Sequence, residues 1–386
     1  MAVNGAISVR QKLARVVKNP IGAAAIVVFC VFVYLYCFKF SGNIYGFFRI
    51  GDVLPFSDRL DLQKALIFRG ELGFDGQQFL SIAFDPFLHD SDTLSTLDSP
   101  RLRYRRILYP LLGYILGFGN PQLIPYAMVG INVLVIILLV GVICQILKHS
   151  HRSAYQSLWA LCIPGVWIVF ALSTADLLNS LLGLVAIFYY KRQKKLYVSA
   201  ALSAAFLTKE ISVMLGVALI LTSIRERNWK QLPYLVAAFI PAVFWHIYVL
   251  VRLKSQGFLG VTENFSYPFV GIGQKLLGLA MGELSGKTIF EAYSFFLLLG
   301  IFAANLVISA YFIKGNRIIF FATLLYGVLF VSSKMTMLGY FLNYPRQYID
   351  VYFLLLVALG HRFDRLKWGL MAAGGLSSVA FLLAHT

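Results

Sequence analysis

Charge is scarce in this chain. Only 13% of its 386 residues are Asp, Glu, Lys or Arg, about half the share of roughly 25% usual in soluble domains. Acidic residues are the scarcer kind, 17 against 34 Lys and Arg. Cysteine is rarer still. Cys30, Cys37, Cys144 and Cys162 lie in or beside apolar runs without a CxxC pair or a His-rich neighbourhood to suggest a metal site, and are expected to be buried small residues. Internal repeats and low-complexity tracts are also missing. What is present is hydrophobicity, 59% of residues with a mean hydropathy of +0.76. Runs of about 20 apolar residues recur from Pro20 onward, and in hydrocarbon each satisfies its backbone only as a helix. The fold class is therefore all-α and polytopic in the membrane.

The net charge of +17 does not point to nucleic acid. Lys and Arg sit in short clusters between apolar runs, where membrane orientation and anionic lipid account for them. Arg10, Lys12, Arg15 and Lys18 precede the first run, which places the N-terminus in the cytoplasm by the positive-inside rule. That run, residues 20–38, is too long for a signal-peptide core and no small-residue cleavage site follows, so it is expected to be a retained helix. Residues 39–106 then form an outer loop. Residues 107–118 are too short to span at about 1.5 Å per residue and are broken off by Gly119-Asn120-Pro121, so a half-helix is expected there. Basic clusters at 148–152, 191–195, 225–227, 314–317 and 361–367 mark inner loops. The pattern predicts about eleven crossings plus the half-helix, with the C-terminus outside. Residues 1–252 form a first module, and residues 253–386 form a second with outer loops 253–290 and 334–350.

The polar passage from Gly73 to Pro110 joins an acidic end to a basic one. Asp75, Asp85, Asp90, Asp92 and Asp98 precede Arg101, Arg103, Arg105 and Arg106. From Gly76 onward the spacing predicts a helix with Phe79, Ile82 and Ala83 on one face. Asp75 then stands at the helix start, either capping free N–H groups or serving as a general base that the helix terminus keeps ionised. The arginines either snorkel toward headgroups or hold a phosphate, and Arg105-Arg106 is the better placed pair. Lys209 and Glu210 are costly beside a span unless paired or in a watery cavity, with Glu210 neutralising Lys209 as the plain alternative to phosphate binding. Arg346 lies among Tyr340, Tyr344 and Tyr348, an interfacial belt or a ligand-stacking surface. Asp176 and Asn179 read as caps, His246 as a structural histidine, and Glu263, Asn264 and Tyr267 are marked only by their place in the second outer loop.

Phe74-Asp75-Gly76-Gln77-Gln78-Phe79 followed by Ile82-Ala83 resembles the first outer loop of the GT-C superfamily, multi-pass glycosyltransferases that take sugar from a polyprenyl-phosphate carrier. Tyr109-Pro110-Leu111-Leu112 is similar to the segment that opens the next helix in those enzymes, and Leu207-Thr208-Lys209-Glu210 to a later "Leu-Thr-Lys". The loop is closest to the branch of GPI mannosyltransferases and their bacterial relatives. The resemblance implies an inverting transfer to an acceptor hydroxyl with Asp75 as base. Asp52 is the alternative base, because many members place the carboxylate soon after the first helix. Arg105, Arg106, Lys209 and Arg346 would hold the donor phosphate, and Gln78, Tyr109, Glu210, Tyr344 and Tyr348 would contact substrate. The implied partners are membrane lipid, a lipid-linked sugar donor and a glycan, lipid or protein acceptor, on the outer side of a bacterial inner membrane. No cofactor is obligatory, and no DxD or Asp-Glu pair marks a divalent metal site. A transporter or lipid flippase is the second class, although it would tend to place charge near mid-span. A membrane acyltransferase is the third, without a His buried beside Asp or Asn to support it.

Overall fold

Residues 19–253 and 264–384 are described by the computed structural model, and most of them are helical. The strands among the described residues are two residues long, Ile50–Gly51 paired in parallel with Ile67–Phe68. Arg10, Lys12, Arg15, Lys18 and Glu263 lie outside the described residues.

Proline sets many helix starts, where its missing N–H costs nothing. Pro20 opens Pro20–Val33 behind the Asn19 side chain, which accepts from Ile21 N at 3.1 Å. Proline also lies in the first turn of Ile124–His149, Pro164–Ala171 and Ile240–Arg252. At Pro164 it breaks a span, because Ala154–Cys162 and Pro164–Ala171 meet at 59°.

Among the described residues six helices are long and apolar enough to cross a membrane: Pro20–Lys39, Ile124–His149, Leu232–Arg252, Gly286–Tyr311, Ile313–Val331 and His361–Ala384. The bent pair makes seven if counted as one span. Their outward faces carry Phe29, Phe244, Phe296 and Val328 at 55–69% exposure, surface that suits lipid rather than water. The protein is thus an all-α membrane protein, with fewer full-length spans than the eleven crossings expected. The difference lies in four short helices, Asp176–Lys191, Lys195–Thr208, Val213–Arg225 and Ile349–Val357, of 16, 14, 13 and 9 residues. At about 1.5 Å per residue none reaches the roughly 30 Å of a hydrocarbon core. Every residue of Ile349–Val357 is buried except Asp350. The half-helix is as expected, Leu108–Leu116 ahead of Ile124–His149. The second expected outer loop contains a helix of its own, Val270–Met281.

The segment between the first span and the half-helix folds onto the bundle. Its central helix, Asp75–Phe84, is buried from Gly76 to Phe84 and packs on Leu108–Leu116 and on the short turn Ile44–Phe48. A Cβ at Gly76 would lie 2.1 Å from the Leu172 carbonyl oxygen, so only glycine lets this helix approach so closely.

Buried asparagines tie the short helices to the long ones. Asn305 donates to Val351 O at 2.7 Å. Asn316, at a kink inside Ile313–Val331, donates to Leu359 O at 2.7 Å and accepts from Leu359 N at 2.9 Å. Asn316→Leu should strand both Leu359 groups in apolar surroundings and cost about 1–3 kcal/mol, read as a lower melting temperature in detergent. An unchanged melting curve would show that this pair does not hold the kink.

Candidate active site

A cavity of about 670 Å³ opens at the end of the bundle that carries residues 73–106, with further walls from Glu210 to Met214, from Asn264 and Phe265, and from residues 336–347. Five arginines (Arg101, Arg103, Arg105, Arg106 and Arg346) line it against three carboxylates, Asp75, Asp98 and Glu210. Leu72, Ile211, Met214, Leu329 and Met337 form an apolar flank.

Asp75 stands at the centre because of its local backbone. Gly73 takes a positive φ of 78° and Phe74 is extended, so the helix begins at Asp75 itself. Its carboxylate makes no capping bond, contrary to the plain expectation for this position. Oδ1 accepts from Arg103 Nη1 at 2.6 Å and Oδ2 from Arg346 Nη1 at 2.7 Å. Arg103 turns its other edge to Asp98, with Nε to Oδ1 at 2.9 Å and Nη2 to Oδ2 at 2.6 Å. Gln78 then donates to Asp98 Oδ2 at 3.0 Å.

Arg346 also lies 4.0 Å from Asp176 Oδ2. Its Nε is buried without a hydrogen-bond partner. Asp176 accepts from Lys209 Nζ, which donates as well to Gln347 Oε1 at 2.8 Å. Arg106 forks onto Glu210, Nε to Oε2 at 2.8 Å and Nη2 to Oε1. Arg101 is committed elsewhere, donating to Leu253 O through Nε at 2.8 Å and Nη2 at 2.6 Å.

These pairings fix the protonation states. Burial alone would raise the pKa of Asp75, yet Arg103, Arg346 and Arg106 together hold it well below the usual carboxylate range. Burial likewise opposes ionisation of Asp98, but Arg103 outweighs it and the pKa is lowered. For Glu210 the same contest is won by Arg106, which brings the pKa to about 2.

The cavity brings together Asp75, Gln78, Arg105, Arg106, Glu210 and Arg346 from the residues that the sequence marks out. Five others lie elsewhere. Asp52 accepts from Gly70 N at 2.6 Å on an exposed turn and does not line the cavity. Lys209 is 4% exposed behind the wall, neutralised by Asp176 and not by Glu210. Tyr109 is fully buried, donating to Met128 O at 3.1 Å and accepting from Asn132 at 3.0 Å. Tyr344 is bound to Glu291 Oε2 at 3.2 Å and Tyr348 to Ser333 at 2.6 Å. At 0% and 1% exposure neither tyrosine can stack on a ligand.

Comparison with protein-family models, curated proteins and solved structures returns no match. The chemistry of the site therefore rests on its own geometry. Among the described residues no three His, Cys, Asp or Glu side chains gather as a metal site requires.

Asp98, Asp176, Asn343 and Gln347 belong to the site or its backing and were not singled out for it by sequence, and Arg103, weighed there as a phosphate holder, pairs with Asp75 and Asp98. Spacing held one usable signal: Asp98 and Arg103 are separated by five residues across a Ser-Pro helix start, Ser99 and Pro100, which brings their side chains together.

Each of the three carboxylates has a lower pKa folded than unfolded. Their stabilisation is therefore complete above the unfolded values of about 4 and is lost as pH falls toward 2. The melting temperature should stay level from pH 7 to about 5 and drop below about 4. Arg103→Leu leaves Asp98 and half of Asp75 unpaired, which should cost about 3–5 kcal/mol and move the acid transition to higher pH. A variant that melts like the parent would mean that Arg103 does not bind this loop together.

Proposed function

We propose that this protein is a membrane glycosyltransferase that moves a sugar from a polyprenyl-phosphate carrier to an acceptor hydroxyl, with inversion. The observation that carries this reading is the placement of Asp75 in a cavity where arginines outnumber carboxylates by five to three beside an apolar flank. A volume of about 670 Å³ lies within the range of about 300–1,000 Å³ of small-molecule sites. The apolar flank suits the first isoprenyl units of the carrier.

The charge balance matches the reaction. The donor is a phosphodiester with one negative charge, and breaking the bond between the anomeric carbon and the phosphate oxygen leaves a monoester with up to two. Guanidinium groups already fixed in place stabilise the charge that develops on that oxygen. The acceptor oxygen attacks the anomeric carbon from the opposite face, and its proton passes to Asp75 and then to water. Alignment of the two reactants supplies about 7–11 kcal/mol of the barrier.

Asp75 between two guanidiniums is a weak base, and the chemistry tolerates this. Glycosyl transfer passes through an oxocarbenium-like transition state. The attacking oxygen becomes strongly acidic once it bonds to that carbon, so proton transfer comes late and needs little basicity. Before then Asp75 orients the hydroxyl through the lone pairs its two arginines leave free.

We further propose that the cavity faces away from the cytoplasm of a bacterial inner membrane. Lys148 and His149 end the full-length span Ile124–His149, and Lys191 lies beside His149 at that end, away from Asp176 and the cavity; the positive-inside rule supports this orientation.

Asp75→Asn should lower transfer from a lipid-phosphate sugar by at least about 100-fold, the low end for a lost acid–base group, while the protein stays folded at the assay temperature. Near-normal turnover would remove Asp75 from the chemistry. Because Asp75 stays ionised, the parent rate should hold between pH 7 and about 5. A tenfold loss per pH unit across that window would assign the proton to another group.

A further inference from the structure

The partners of Arg101, Arg103, Arg106 and Arg346 differ in how readily they can leave. Arg103 is held by two carboxylates, Asp75 and Asp98, whose side chains are 17% and 30% exposed. Arg101 is bound to the Leu253 carbonyl. Arg346 is set between Asp75 and Asp176. Arg106 alone among these four is held by a single carboxylate with much of its surface in solvent: Glu210 is 42% exposed, while Arg106 is 11% exposed.

The backbone around Glu210 does not depend on that contact. Lys195–Thr208 ends just before it, and Glu210 opens a three-residue turn, Glu210–Ser212, that leads into Val213–Arg225. Lys209, extended at φ −162° and ψ 135°, anchors the break through Asp176 and Gln347, and Ser212 Oγ donates to Lys209 O at 2.6 Å. Glu210 can therefore swing into water while the chain on both sides stays in place. Arg106 cannot follow, because a buried guanidinium without a counter-ion is costly.

The two-pronged contact that Arg106 makes with a carboxylate is also the geometry in which a guanidinium takes a phosphate. Both residues line the same cavity as the unpartnered Nε of Arg346. We infer that Glu210 is a displaceable counter-ion, which occupies the Arg106 fork until the phosphate of a prenyl phosphate takes its place. This deepens the proposed function and rests on its phosphate-binding site. The exchange sets specificity by charge. A dianionic phosphomonoester competes with a carboxylate better than a monoanionic diester does, so the fork transfers to the leaving phosphate as the sugar–phosphate bond breaks.

The test uses the purified full chain in detergent with two probes, farnesyl phosphate and inorganic phosphate. Binding is measured by calorimetry for the parent, Glu210→Gln, Arg106→Lys and the double variant. If Glu210 occupies the fork nearly all the time, removing it should tighten farnesyl phosphate about tenfold or more, because apparent affinity scales with the fraction of sites that are free. The gain should vanish in the Arg106→Lys background, where the fork is gone. Tightening with both probes supports recognition of the phosphate itself, and tightening with farnesyl phosphate alone assigns the fork to lipid-borne phosphate. Equal gains in both backgrounds would reduce the effect to the loss of one negative charge near the cavity and overturn the exchange. Unchanged or weaker binding in Glu210→Gln would overturn it as well, with phosphate binding itself left standing. If neither probe binds any of the four proteins, the phosphate site falls and the inference falls with it.

Discussion

A carboxylate with little access to water, held by guanidiniums from opposite ends of the chain, is the constraint around which this molecule is arranged. Asp75 meets Arg103 from 28 residues away and Arg346 from 271 residues away. Desolvating these charges is expensive and is offset only when all the partners are in place. The loop that follows the first span and the polar turn before Ile349–Val357 must therefore reach their final positions together. The pairing crosses the boundary expected near residue 252, so the two expected modules share one site. The short helices serve the same end: Asp176–Lys191 and Lys195–Thr208 stop at the cavity and deliver Asp176 and Lys209 to its back wall. That wall in turn fixes Arg346 and Gln347.

The features legible in the sequence are those set by local rules. Pro, Gly and apolar spacing place Asp75–Phe84, the half-helix Leu108–Leu116 and the long spans, because these depend on residues a few positions apart. The site was legible as a set of charges on one passage, which supplies nearly half of its lining. Pairing was the unread part. Neighbourhood suggests that Glu210 neutralises Lys209, yet each points to a different wall, since the backbone between them leaves one helix and starts another turn. Tyr344 and Tyr348 flank Arg346 in sequence, but the short helix Tyr344–Gln347 carries them to its buried side, where Glu291 and Ser333 take their hydroxyls. The number of crossings stays open for a related reason: only six to seven of the eleven expected have helices of full length. Apolar composition reports burial, and burial between other helices reads the same as burial in lipid.

The electrostatics of the cavity favour positioning over proton affinity. Two arginines on one aspartate keep it charged and weakly basic, which would suit poorly a reaction that needs the acceptor deprotonated before attack. An oxocarbenium-like path has no such need, because carbon–oxygen bonding itself makes the proton acidic. The same arginines guard the ground state. Asp75 and Asp98 are ion-paired within the protein, so neither stands in the cavity as a bare charge that would bind any passing ion.

The proposed transfer asks less movement of the same groups than a transport role would. Alternating access requires a site that both ends of the protein can reach in turn, with ion pairs made and broken as helices rock. Here the Asp75, Arg103 and Asp98 cluster is tied to Gln78 on a helix buried from Gly76 onward, and Gly76 is in backbone contact with Leu172 at the end of Pro164–Ala171. Rocking that helix would separate partners on several elements at once. The Arg106 and Glu210 pair is the exception, held at a break between helices by a half-exposed carboxylate, and its exchange needs only a side-chain rotation. The physical arrangement thus permits a change of charge partners at the cavity wall with little movement of the bundle. The proposed group transfer would make the same demand, since negative charge would appear on one oxygen while the reactants otherwise stay in place.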